Sequence, residues 1–148
     1  MVFKITRNLI DQHHGVNSQH RGAFVTVVKV FVSFEFERDS HLKNSLIGQA
    51  REHQELLSIQ DTSLPGAYHT TVWVGKAREA IRRSDFVIVL IGQDTQNAPG
   101  VLEEVKIATN LKKPVIQIRP KGPRYGGVDG PGDIHAWKWK TIRRLPGG

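Results

Sequence analysis

Short apolar runs alternate along the chain with segments of helical periodicity. Residues 27–34, 86–91 and 114–118 are rich in β-branched or aromatic side chains, which is typical of buried strands. Residues 56–59 form a shorter apolar run, and residues 134–139 alternate between apolar and polar side chains. The pattern therefore predicts four strands within the body of the chain and a fifth at an edge of the sheet.

Three helices are predicted between these strands. The first has Asp39 or Ser40 as its N-cap, and the apolar positions that follow share one helical face. The second covers residues 70–83, and the third runs from Pro99 to about residue 111, with proline at a position that suits a helix start. Strands that alternate with amphipathic helices indicate an α/β fold with a parallel sheet and right-handed crossovers.

The first 28 residues differ in pattern from the rest. Residues 11–22 are polar and show no period, so we expect residues 1–28 to be an irregular, flexible N-terminal extension and residues 29–148 to form the domain. The histidines between positions 13 and 20 lack the i,i+4 spacing and the nearby carboxylate pair of a metal centre, and no metal site is predicted.

Composition narrows the class of protein. The 148 residues suit one domain, and the absence of cysteine excludes disulfides, thiol nucleophiles and cysteine-built metal centres. A chain without cysteine is compatible with a reducing compartment. No apolar run reaches the roughly 18 residues needed to span a bilayer. We therefore expect a cytoplasmic protein with no membrane partner.

The net positive charge of the chain comes from its C-terminal end. Residues 111–148 carry nine basic and two acidic side chains, which account for the whole net charge of +7, whereas residues 1–110 are balanced. Such a basic segment attracts phosphates or an acidic partner, or it only keeps the chain soluble. It lacks the basic–aromatic repeat of single-strand binders, so nucleic acid is not an expected partner.

The loops at the carboxyl ends of the strands are the expected ligand-binding regions of a parallel sheet. None of them contains a phosphate-binding loop, a dinucleotide fingerprint or a nucleophile elbow, and the third strand does not end in a phospho-acceptor aspartate. The sheet therefore binds its ligand by other means.

Glu104 is the leading candidate for a catalytic residue. Successive helical residues are about 100° apart, so Glu103 falls on the polar side of its helix with Lys106, whereas Glu104 falls between Val101 and Ala108 at the margin of the apolar stripe. A carboxylate at that margin is partly desolvated, which raises its pKa and suits it to catalysis. The alternative is a structural glutamate favoured by the dipole of the helix N-terminus.

Ser33, Phe34, Asp61 and Ser63 are the candidate substrate-binding residues, because they follow or end predicted strands at the same edge of the sheet. Phe34 is able to stack on a base, although an aromatic side chain at such a place is more often part of the core. On sequence alone, turn formation and helix capping are the favoured roles of Asp61 and Ser63.

Four segments of the chain resemble the TIR-like (Toll/interleukin receptor) proteins of bacterial Thoeris anti-phage systems. These segments are residues 30–35, 58–63, 81–92 and 98–105. The similarity extends over about residues 29–122, and the run from Ile81 to Glu104 is its most specific part. A first strand that ends in Ser33 and Phe34 is common to TIR domains in general.

The resemblance implies a flavodoxin-like, three-layer fold with a central parallel sheet of about five strands. It implies an NAD+ glycohydrolase or ADP-ribosyl cyclase, in which Glu104 is the catalytic glutamate and the product is a cyclic or linear ADP-ribose-type signal for a separate effector protein. NAD is then the substrate, and neither a cofactor nor a metal is expected. In this family the loop after the second strand, here residues 61–68, borders the pocket, and self-association of protomers can complete the site.

One position departs from the family pattern. TIR enzymes often carry a tryptophan four residues before the glutamate, and this chain has Gly100 there. The difference favours the alternative of a non-catalytic TIR module that oligomerises or recruits a partner. A nucleoside-transferase-like glycosidase, which also places a carboxylate at a ribosyl carbon, and a nucleic-acid binder are the remaining hypotheses.

Overall fold

Six strands form one sheet in the computed structural model of this protein, which describes residues 2–8, 25–52, 56–60 and 70–138, with side chains in residues 29–49, 52 and 70–138. The elements in chain order are β1 (Val2–Asn8), β2 (Val25–Ser33), α1 (Phe36–Glu52), β3 (Leu56–Gln60), α2 (Thr71–Arg82), β4 (Phe86–Leu90), a 3₁₀ turn (Thr95–Asn97), α3 (Pro99–Asn110), β5 (Val115–Arg119) and β6 (Ile134–Ala136). The strand order across the sheet is β3-β1-β2-β4-β5-β6.

The helices lie on both faces of the sheet. Strands β2, β4, β5 and β6 pair in parallel. Helix α1 packs on one face through Leu42 and Leu46, and α2 and α3 pack on the other through residues such as Ile81 and Ala108. This arrangement confirms the predicted α/β, flavodoxin-like, three-layer fold.

Strand β1 was not expected from the sequence. It lies between β2 and β3 and pairs antiparallel with both, so residues 2–8 belong to the sheet instead of forming an irregular extension. Because β1 separates β3 from β2, only four adjacent strands pair in parallel, slightly fewer than the five predicted. Residues 11–22, on which the expected extension was based, lie outside the described part of the chain, and the domain boundary near residue 29 stays a prediction.

Helix α1 begins earlier than predicted. Its first residue is Phe36, and the Glu35 carboxylate accepts a hydrogen bond of 2.7 Å from the Arg38 backbone N–H, which is the role of an N-cap. The prediction of an N-cap at Asp39 or Ser40 is therefore wrong. Asp39 instead lies within the first turn with its side chain buried.

The core has two layers because the side chains of β2 and β4 alternate between the faces of the sheet. All five residues of β4 are buried, as expected for a strand covered by helices on both faces. On β2, Val30 and Val32 face α1, whereas Phe31 faces α2 and α3. Ser33, two residues after Phe31, accordingly ends the strand on the α3 face.

The predicted long loop after β5 is held by one buried amide. The Gln117 side chain donates hydrogen bonds to the carbonyls of Val128, at 2.9 Å, and Pro131, at 2.8 Å. Its Oε1 accepts a hydrogen bond of 2.7 Å from the Val128 N–H. The loop then leads into β6 and to Trp137, whose indole N–H donates a 2.7 Å hydrogen bond to Gln49 of α1.

The carboxyl end of α3 has a lysine where glycine is usual. The Lys112 N–H bonds to Thr109 O at 3.0 Å and the Lys113 N–H to Ala108 O at 2.9 Å, which is the Schellman pattern. That pattern requires a left-handed backbone conformation at the residue after the C-cap. This residue is Lys112, and its φ is 55°. It has the only non-glycine positive φ in the described residues, although such a conformation is unfavourable for a residue with a Cβ.

We expect Lys112→Gly to stabilise the protein. Glycine adopts positive φ without the steric penalty that lysine incurs, so the free energy of unfolding should rise by about 0.5–1 kcal/mol. Urea unfolding of both proteins measures the difference. The control is Lys113→Gly, where φ is not positive and glycine should only destabilise. A lower stability of Lys112→Gly would contradict the interpretation.

Candidate active site

The candidate site lies where β2 ends beneath α3. In the parallel register Ser33 is opposite Val89 of β4, so it lies beside the most buried strand of the sheet. Its side chain is buried, and its hydroxyl forms no hydrogen bond. Buried hydroxyls without a partner are uncommon in folded proteins, so this hydroxyl marks a place of interest.

Glu104 is the second unpartnered polar group at this place. It lies in the second turn of α3, next to the stripe of Val101, Val105 and Ala108 that packs on the sheet. The side chain as a whole is partly buried, but its Oε2 is fully enclosed and makes no hydrogen bond. None of the ion pairs formed among the described residues involves it.

Burial raises the pKa of Glu104 to about 7, because its charged form loses hydration. The Ser33 hydroxyl lies close enough to oppose part of this rise, although the two side chains do not form a hydrogen bond of normal geometry. A carboxylate with a pKa near neutrality exists in both protonation states at physiological pH, which is a common property of catalytic carboxylates.

Asp39 is a second buried carboxylate, which the sequence did not reveal, and it contacts the loop before α3. Asp39 of α1 lies 3.5 Å from Thr95 Oγ1, and this hydroxyl accepts a 2.7 Å hydrogen bond from the Gly92 N–H. A Cβ at position 92 would collide with the Asp39 carboxylate, so only glycine fits there. Burial, reinforced by the charge of Glu35, raises the pKa of Asp39. The network therefore fixes the segment that leads to Glu104.

The surface between the first turn of α1 and the loop before α3 carries charges of both signs. The Arg38 guanidinium pairs with the Asp94 carboxylate across the gap between the first turn of α1 and the loop before α3. Both side chains are largely exposed, so this pair contributes little to stability. It connects the two segments at the surface as Asp39 and Thr95 connect them inside.

The predicted site residues are only partly brought together. Ser33 and Glu104 are neighbours on the α3 face. Phe34 packs against the core on the α1 face, where its ring stacks on Phe36 at 6.3 Å, an arrangement that favours a packing role. Asp61 and Ser63 lie outside the described residues.

Glu104 does not line either of two surface cavities that described residues form. One, of about 390 Å³, lies between α1, Lys121 and Trp137. The other, of about 700 Å³, lies between α3 and residues 128–132. Gly100, which stands in place of the family's tryptophan, is buried in the first turn of α3.

Two further properties concern the described part of the chain only. It holds no cluster of three or more histidine, aspartate or glutamate side chains suited to a metal ion. None of its helices combines the length and the apolarity that a membrane crossing requires.

The α/β fold is consistent with a flavodoxin-like TIR domain, and comparison with known families identifies one. Residues 31–125 match the family described as Thoeris protein ThsB, TIR-like domain. The chain therefore belongs to the Thoeris ThsB TIR-like family and is a TIR-domain protein of anti-phage defence, a system that includes a separate effector. No curated protein matches the chain.

Replacement of Glu104 should change how stability depends on pH. The folded-state pKa of about 7 exceeds the unfolded value of 4.5, so the folded protein binds more protons between these values and loses stability as the pH rises through them. Glu104→Gln removes this loss. We expect the variant to match the wild type near pH 4.5 and to exceed it above pH 7 by on the order of 2 kcal/mol, discounted for partial exposure.

Urea unfolding at a series of pH values measures this difference. The matched control is Glu103→Gln, which changes the same chemical group one residue earlier on α3. If both variants showed the same difference from the wild type at every pH, the raised pKa would not belong to Glu104.

Proposed function

We propose that this protein cleaves the nicotinamide–ribose bond of NAD and converts the remaining ADP-ribose into a linear or cyclic nucleotide signal. The observation that carries the proposal is the enclosed Glu104 Oε2, which has no hydrogen-bond partner and lies near Ser33 at the carboxyl end of β2. That is the edge at which parallel sheets bind ligands, and it is where the TIR-like resemblance puts the catalytic glutamate.

The chemistry requires one carboxylate. The bond between C1′ of the ribose and the pyridinium nitrogen breaks, its electron pair goes to nicotinamide, and nicotinamide leaves as a neutral molecule. The ribosyl group becomes cationic at C1′ in the transition state. An ionised Glu104 stabilises that charge, and its poor hydration strengthens the interaction. Water completes hydrolysis at C1′, whereas a nucleophile of the ADP-ribose itself completes cyclisation.

Ser33 has a positioning role in this proposal. Its hydroxyl lies near the Glu104 carboxylate and lowers its pKa, which favours the ionised form that the reaction needs. Asp39 and Thr95 have an indirect role, because they stabilise the loop from which α3 starts. Phe34, Asp61 and Ser63 remain proposed substrate contacts, and self-association remains a proposed means of completing the site.

Release of nicotinamide from NAD is the first test. We expect the wild-type protein to release it and Glu104→Gln to lose at least about a hundredfold in rate, because the amide cannot offset the positive charge at C1′. Glu103→Gln is the control, and it should retain the activity. Mass spectrometry of the small molecules identifies the second product.

The opposite result points to the other hypothesis. If NAD stays intact at all protein concentrations while the chain still associates with itself, the protein is a non-catalytic TIR module. The buried Gly100 in place of the family's tryptophan is the feature that favours this alternative. Cleavage of free nucleosides without cleavage of NAD would instead indicate a nucleoside-transferase-like glycosidase.

The pH dependence of the reaction is the second test. Because the ionised form of Glu104 is the active form, nicotinamide release should rise with pH and level off above its pKa of about 7. Ser33→Ala removes a group that lowers this pKa, so we expect its pH profile to shift to higher pH. A profile that falls through neutrality, or an unchanged profile in Ser33→Ala, would contradict these roles.

A further inference from the structure

A groove outside the proposed active site combines an apolar floor with a basic rim. It has a volume of about 700 Å³ and lies between the last turns of α3 and residues 128–132. Val105, Val115 and Val128 form part of its floor. Cavities of roughly 300–1,000 Å³ with apolar walls and a few polar groups are typical binding sites for small molecules.

The charges of the groove favour an anionic ligand. Lys106, Lys112 and Lys113 line it, and Asp129 is the only acidic side chain among its lining residues. None of these lysines takes part in the ion pairs formed among the described residues. Lys112 and Lys113 also offset the dipole at the carboxyl end of α3, but Lys106 lies a full turn earlier, where it has no such role.

Lys112 gives a second reason to regard the groove as a binding site. Its φ of 55° costs stability that glycine would restore, as described above for the Schellman turn. Unfavourable backbone conformations of this kind concentrate at functional sites, where the side chain has a use that outweighs the strain. At this position the lysine side chain lines the groove.

The wall opposite α3 is held in place before any ligand binds. Gln117 anchors Val128 and Pro131 through three hydrogen bonds of 2.7–2.9 Å, and both of these residues line the groove. A site with such a fixed wall loses little conformational entropy on binding.

The groove is on a different side of α3 from Glu104. Leu102, Val105, Lys106 and Thr109 line it at spacings of three and four, so they share one helical face, whereas Glu104 does not line it. A ligand in the groove would therefore not occupy the proposed catalytic position.

We propose that this groove binds an organic phosphate with an apolar ring, of the size of a mononucleotide. The ring lies on the valine floor, and the phosphate lies near Lys106, Lys112 and Lys113. Lysine is a common phosphate-binding residue because its ammonium group is a compact point charge.

Titration calorimetry with AMP as the probe tests this site. We expect AMP to bind, and adenosine and inorganic phosphate each to bind about tenfold more weakly or not at all, because each retains half of the contacts. The double variant Lys106→Gln with Lys112→Gly should weaken AMP binding by about tenfold or more. The single variant Lys112→Gly is measured as well. Because this substitution is expected to stabilise the fold, a loss of AMP binding in it cannot be assigned to unfolding.

Two controls distinguish binding in the groove from binding elsewhere on the protein. Lys76→Gln removes an exposed lysine of α2 that does not line the groove, and it should leave AMP binding unchanged. Glu104→Gln should also leave it unchanged. Equal losses in Lys76→Gln would show general attraction to a basic protein, and loss in Glu104→Gln alone would place AMP in the NAD site. Either result, or no AMP binding, overturns the groove proposal and leaves the proposed NAD cleavage standing.

Discussion

The position of α3 on the sheet removes one carboxylate oxygen from water and leaves it without a hydrogen-bond partner. Glu104 is held beside the end of β2 by the apolar residues around it on α3, and its enclosed oxygen lies near an equally unpaired Ser33 hydroxyl. Desolvation costs free energy whenever the carboxylate is ionised. The protein tolerates this cost at the edge where parallel sheets bind ligands, so the arrangement is poor for stability, and it is the basis of the catalytic role proposed for Glu104.

The surrounding structure keeps that carboxylate in position. The buried side chains of Asp39 and Thr95 connect α1 to the loop that precedes α3, and Gly92 is the residue that allows them to meet. The core beneath is a fully buried β4 with helices on both faces. A rigid layer of this kind limits how far α3 can move relative to β2, and the proposed catalytic role of Glu104 requires such a fixed position.

The sequence predicted the parts of the fold that have strong periodicity. The bounds of α2, β4 and α3 agree with the structure to within about a residue, since apolar runs and helical stripes are long there. It also led to Glu104, because helical phase alone puts this residue at the margin of the apolar stripe. The predicted start of α1 was wrong because Asp39 and Ser40 are usual N-cap residues and glutamate is not. In the structure Glu35 caps the helix, and Asp39 is buried against Gly92. Strand β1 was missed because seven residues carry a weak signal, although Val2, Phe3 and Ile5 favour a strand.

The insertion of β1 changes the width of the ligand-binding edge. Gln60 at the end of β3 and Phe31 near the end of β2 are both paired with Val2, so they face each other across one intervening strand. Neighbouring strands are about 4.8 Å apart, which separates the two chain ends by nearly 10 Å. A molecule that touches both Glu104 and Gln60 at the end of β3 must therefore extend across two strand spacings.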